Sequence, residues 1–70
     1  MQKVQIETEF ITLGQFLKVT GIIGTGGAAK FFLEEYPVYV NNELENRRGR
    51  KLYVSDQLKV DDQEFIIVKG

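Results

Sequence analysis

Arg47, Arg48, Arg50 and Lys51 place four cations within five residues around Gly49, and they include all three arginines of the 70-residue chain. Guanidinium groups on a turn can reach phosphates bidentately and can stack on unpaired bases. No anion interrupts the window from Asn46 to Leu52, and no other stretch is as densely basic. Such a footprint is expected of a nucleic-acid contact. The alternative is a solvated loop whose arginines pair with Glu43 and Glu45; the density of the cluster favours binding.

A second candidate is the run Gly24-Thr25-Gly26-Gly27 ahead of Ala28-Ala29-Lys30. Glycines expose backbone N–H groups, and at a helix start these can meet an anion. The run lacks the lysine and hydroxyl order of a nucleotide-hydrolysing phosphate loop, and a helix rather than a strand leads into it. It reads either as an inter-helix turn or as a contact for a nucleic-acid phosphate. Phe31, Tyr39 and Tyr53 are candidates for base stacking, or else cover the edge of a small core. Glu34-Glu35 and Asp61-Asp62 are adjacent rather than facing carboxylates, so they read as surface charge. With no Cys and no His in the chain, the soft and imidazole ligands of zinc sites and the Cys–His or Ser–His nucleophilic systems are missing. Neither an enzyme nor a metal or cofactor site is expected.

The elements that must position these residues follow from periodicity. Val4 and Ile6 alternate with polar neighbours, which predicts a strand over residues 3–8. Thr12 and Gln15 fit a capping box, and Leu13, Phe16, Leu17 and Thr20 form an apolar stripe, so a helix runs from here to a stop at Gly21. Thr25 is the expected N-cap of a second helix. Its inward stripe is Ala29, Phe32, Leu33 and Tyr36, because the competing stripe would bury Glu35; Phe31 and Lys30 then face outward. Pro37 ends that helix. Val38-Tyr39-Val40 is a strand, Asn41-Asn42 a turn, and Leu44 begins the return. Beyond the basic turn, Leu52 and Val54 are expected inward. Leu58 and Val60 follow as a strand, Asp61-Asp62 as a turn, and Phe65 to Val68 closes the sheet. The fold class is α+β: an N-terminal strand and two consecutive helices packed on a small, mainly antiparallel sheet.

The composition, 43% hydrophobic and 27% charged, describes one small domain over residues 1–70, burying roughly 60% of its unfolded-state surface. The net charge of −1 decides nothing by itself. No apolar run reaches membrane-span length and no signal-peptide pattern opens the chain, which predicts a cytoplasmic protein without a membrane partner. A monomer is expected.

The stretch from Thr12 to Leu58 resembles the S-four RNA-binding domain, the αL motif. The resemblance runs through Leu13 and Leu17, then Ala29-Lys30 with Phe32-Leu33. It continues in Val38-Tyr39-Val40-Asn41-Asn42, where the family has Val-x-Val-Asn-Gly, and in Val54-Ser55-Asp56-Gln57-Leu58, at its Gly-Asp turn. Thr12-Leu13-Gly14 stands where members usually carry Arg-Leu-Asp, and Thr25-Gly26 where they carry Ser-Arg. The stretch from Ile11 to Lys18, with Gly26-Gly27-Ala28-Ala29-Lys30 and Asn46 to Leu52, is similar to the small stand-alone bacterial proteins of the YaaA/YbcJ type. The resemblance implies a free-standing RNA-binding module linked to ribosome maturation, particularly of the large subunit, with structured ribosomal RNA as partner. The residues themselves suggest one face. In it the backbone amides at Gly26 and Gly27 and the Lys30 side chain hold phosphates; Asn41, Asn42 and Lys51 lie beside them, Arg47, Arg48 and Arg50 add bidentate contacts, and Phe31 lies nearby. A protein-interaction module that uses the acidic C-terminal part and the exposed aromatics is the alternative.

Overall fold

The computed structural model describes residues 1–70. β1 (Gln2–Ile6) turns Val4 and Ile6 inward and leaves Lys3 and Gln5 in solvent. It ends before the expected residue 8 because the chain bends through Glu7, Thr8 and Glu9. β2 (Ile11–Thr12) leads directly into α1 (Leu13–Val19). The capping box is formed in both directions: the Gln15 amide donates to Thr12 Oγ1 at 3.2 Å, and the Thr12 amide donates to Gln15 Oε1 at 2.9 Å. Gly21, at φ 79°, turns the chain out of the helix in a conformation that strongly favours glycine. Ile23 then folds back, its amide donating to the Leu17 carbonyl at 3.1 Å, and is buried.

The second helical segment begins as a 3₁₀ turn, Gly26–Ala28, and continues as α2 (Ala29–Glu35). Thr25 occupies the cap position in an extended conformation, but its side chain makes no capping hydrogen bond. Ala29 and Leu33 are buried and Phe32 is half-buried, as the chosen stripe requires, and Phe31 faces outward. Tyr36 departs from expectation and is exposed. As the residue before Pro37 it adopts φ −125°, ψ 134°, which swings its side chain off the helical stripe; it rests beside the Phe32 ring at 4.8 Å.

β3 (Val38–Val40), β4 (Glu43–Leu44), β5 (Lys51–Leu52), β6 (Gln57–Val60) and β7 (Gln63–Lys69) complete the chain. Five strands form one sheet in the order β1-β7-β6-β3-β4, and β2 pairs antiparallel with β5 in a separate ribbon. The large sheet is antiparallel except at β1–β7, where Gln2 to Ile6 lie parallel to Phe65 to Lys69. Asn41 and Asn42 join β3 to β4 with φ of 51° and 70°, both positive as a tight two-residue hairpin requires.

One face of the sheet supplies Val4, Ile6, Val38, Val40, Leu58, Val60, Phe65 and Ile67 to the core, and the helices supply Leu13, Phe16, Leu17, Ala29 and Leu33. Phe16 meets Phe65 edge to face at 5.1 Å, which sets α1 against β7. Leu52 is fully buried from the ribbon, whereas Val54 is exposed. The expected alternation stops there because β5 ends at Leu52 and the chain turns at Ser55, with φ 83°. No helix is long and apolar enough to cross a membrane.

Candidate nucleic-acid interface

The ribbon of β2 and β5 ties the basic turn to the first helix. Ile11 pairs with Leu52 and Thr12 with Lys51, and the ladder continues into the helix start. There the Leu13 amide donates to the Arg50 carbonyl at 2.8 Å, and the Gly14 amide to the Arg48 carbonyl at 2.9 Å. The packing at Gly14 leaves room for a Cβ and little more: one built there would touch the Arg48 carbonyl oxygen at 3.4 Å and the Ala29 Cβ at 3.6 Å. The start of α1, the start of α2 and the arginine turn therefore converge at one point.

At that convergence lies an open depression of about 430 Å³. Gly26 borders it from the second helical segment, Arg48 and Gly49 from the turn, and Gly14, Gln15 and Lys18 from α1. Lys18 and Arg48 supply its positive charge, no carboxylate lines it, and neither cation takes part in an ion pair. The glycine-rich helix start and the arginine turn are thus neighbours in space, although more than twenty residues separate Gly26 from Arg48.

A second depression, of about 500 Å³, shares Gly49 with the first and is bordered by Arg47, Arg50, Lys51 and Tyr53. Here two of the arginines are not free. Glu45, 6% exposed, is the one buried charged residue. Its Oε2 accepts from the Arg47 amide and from Arg47 Nε, both at 3.0 Å. Its Oε1 accepts from Arg47 Nη2 at 3.0 Å and from Arg50 Nη1 at 2.7 Å. The hydrogen bonds from the Arg47 side chain outweigh desolvation and, with those from Arg50 and the Arg47 amide, bring the Glu45 carboxyl down to about 2. The same carboxylate raises the Arg47 pKa further. The pairing considered from sequence is therefore half realised: Glu45 pairs with Arg47 and Arg50, and Glu43 forms no ion pair. A guanidinium carries five N–H donors. Arg47 and Arg50 each retain some for another anion, and the carboxylate fixes their orientation.

The remaining candidates lie apart from both depressions. Gly27, Lys30 and Phe31 are exposed on the second helical segment but border neither. Asn41 and Asn42 sit on the β3–β4 turn, where the Asn41 side chain is already committed: its Oδ1 accepts from the Gln57 amide at 2.9 Å and its Nδ2 donates to Asp56 at 3.1 Å. Conversely, Lys18 belongs to the geometry and was not among the candidates, and Glu45 entered only as an ion-pair partner of the arginines. Lys18 lies one helical turn after Gly14 on the same side of α1, and a glycine inside a helical pattern is the sequence sign of a packing role there. The burial of Glu45 carries no such local sign. No group of His, Cys, Asp or Glu residues is placed to hold a metal ion.

Comparison with known proteins adds two findings. The sequence profile of the family described as S4 domain matches residues 4–68. The probable ribosome maturation protein RlbA of Bacillus subtilis (strain 168) is 57% identical over 58 residues, covering 83% of this chain and 82% of the relative.

Proposed function

This chain belongs to the S4 domain family, and from that membership and the geometry above we propose that it is a cytoplasmic RNA-binding protein that docks on structured ribosomal RNA during ribosome maturation, in particular of the large subunit. The observation that carries the reading is the depression where the unpaired cations Lys18 and Arg48 meet the exposed backbone around Gly26 and Gly49, with no carboxylate on its wall. Phosphate oxygens need charge and N–H donors, and such contacts fix the position of a protein on RNA without reading bases. Arg47, Arg50 and Lys51 extend the cationic surface past Gly49. Recognition is therefore mostly of backbone and shape. Gly27, Lys30, Phe31, Asn41 and Asn42 are secondary in this reading, and Asn41 serves the hairpin. The name of the Bacillus relative supports the assignment to ribosome maturation.

Sucrose-gradient sedimentation of cell extract, with the protein followed by immunoblot, tests the reading. It is expected to travel with large-subunit particles and to leave them after ribonuclease treatment or in high salt. Migration with small-subunit particles alone would remove the large-subunit assignment. Association that survives both nuclease and salt would favour a protein partner instead.

A further inference from the structure

Across the β2–β5 ribbon the pairing of Ile11 with Leu52 sets Phe10 opposite Tyr53 in register. Alternation then sends Ile11 and Leu52 toward the core and puts Phe10, Lys51 and Tyr53 together on the outer side. Phe10 and Tyr53 have ring centroids 5.9 Å apart with planes tilted by 51°, and Lys51 Nζ stands 4.8 Å from the centre of the Phe10 ring. Phe10 is half-buried, while Tyr53 is 44% exposed and borders the same depression as Arg47, Arg50 and Lys51. The Tyr53 hydroxyl has no hydrogen-bond partner within the protein; the residue bonds only through its backbone, the amide donating to Asp56 Oδ2 at 2.8 Å and the carbonyl accepting from the Asp56 amide at 3.0 Å. One ring thus braces another whose accessible part adjoins three cations.

We propose that Tyr53, braced by Phe10, is a stacking platform for an unpaired nucleobase, whose flanking phosphates are met by Lys51 and by the spare N–H groups of Arg47 and Arg50. The proposal rests on the RNA-binding reading and deepens it: the RNA must present a bulged or single-stranded nucleotide at the edge of the folded element that occupies the Lys18–Arg48 depression. An aromatic face accepts any base, and the adjoining charge favours a polyanion over an apolar partner. Glu45 contributes by holding Arg47 and Arg50 in place before the RNA arrives.

Ultraviolet cross-linking of the protein to ribosomal particles, followed by peptide mass spectrometry and sequencing of the attached RNA, tests this directly. The tryptic peptide from Leu52 to Lys59 is expected to carry a nucleotide that is unpaired in the RNA. Cross-links confined to other peptides, or to paired nucleotides, would overturn the platform and leave the RNA-binding reading standing. The absence of any RNA cross-link would overturn both. In a second measurement, Tyr53→Leu is expected to weaken binding to purified ribosomal RNA about tenfold and Tyr53→Phe to leave it near the wild-type value. Equal affinities for the leucine variant and wild type, with matching thermal melts, would also overturn the platform.

Discussion

The Gly14 amide donates a 2.9 Å hydrogen bond to the Arg48 carbonyl, fastening the arginine turn to the first turn of α1. This contact turns two distant segments into one surface, since Ala29 of α2 and the Arg48 backbone meet where a side chain of Gly14 would project. The cationic face consequently depends on a residue that carries no charge.

Gly14→Leu is expected to destabilise the fold by about 1–3 kcal/mol, because a branched side chain must displace the Arg48 backbone or the start of α2. Gly14→Ala is expected to be nearly neutral. The new Cβ would sit in ordinary van der Waals contact, 3.4 Å from the Arg48 carbonyl oxygen, and in the first turn of a helix the propensity gain is only a fraction of the roughly 1 kcal/mol found in helix interiors. Urea denaturation of the two variants checks the pair, and equal stabilities would contradict this packing.

Glu45→Gln removes a carboxylate that two guanidiniums share. About 1–2 kcal/mol of stability is expected to be lost. The loss is smaller than for a fully buried pair, because the Arg47 side chain is 73% exposed. The acid limb carries the sign of the effect. The Glu45 carboxyl stands at about 2 in the fold against 4.5 ordinarily, so its contribution is complete above that ordinary value and disappears as pH falls through about 2. In urea melts taken from about pH 5 downward, the wild type should therefore converge on the glutamine variant. A constant gap between the two would contradict the assignment.

Asn41→Ala should lower stability by about 1–2 kcal/mol, through loss of the bonds to Gln57 and Asp56 and the strain of a positive φ without an asparagine. RNA affinity of the folded variant is expected to stay near that of the wild type. A large loss of affinity at unchanged stability would return Asn41 to the interface.

Much of this arrangement was legible in local patterns. The Thr12–Gln15 capping box, the Leu13–Phe16–Leu17 stripe, the Asn41-Asn42 turn and the outward Phe31 each depend on interactions within a few residues, and each is found. Tyr36 and Val54 escaped because a proline and a turn with positive φ override the period that the neighbouring residues establish. The parallel pairing of Gln2–Ile6 with the C-terminal strand joins the two ends of the chain, so no spacing rule announces it. Glu45 is the clearest case at the site. Its nearness in sequence to Arg47 and Arg50 already offers an ion pair, but only the path of the turn around it makes it the buried anchor of both.

The central claim is that Lys18 and Arg48 act together on RNA phosphates. Its most direct test is the affinity of Lys18→Glu/Arg48→Glu for purified ribosomal RNA, measured by fluorescence anisotropy over a range of salt concentrations. Two charge-assisted contacts are at stake, so binding is expected to weaken about 100-fold or more while the thermal melt stays unchanged. The neutral variant Lys18→Ala should flatten the dependence of log affinity on log salt by about 0.7 to 0.9. Wild-type affinity and an unaltered salt slope in a folded double variant would contradict the account.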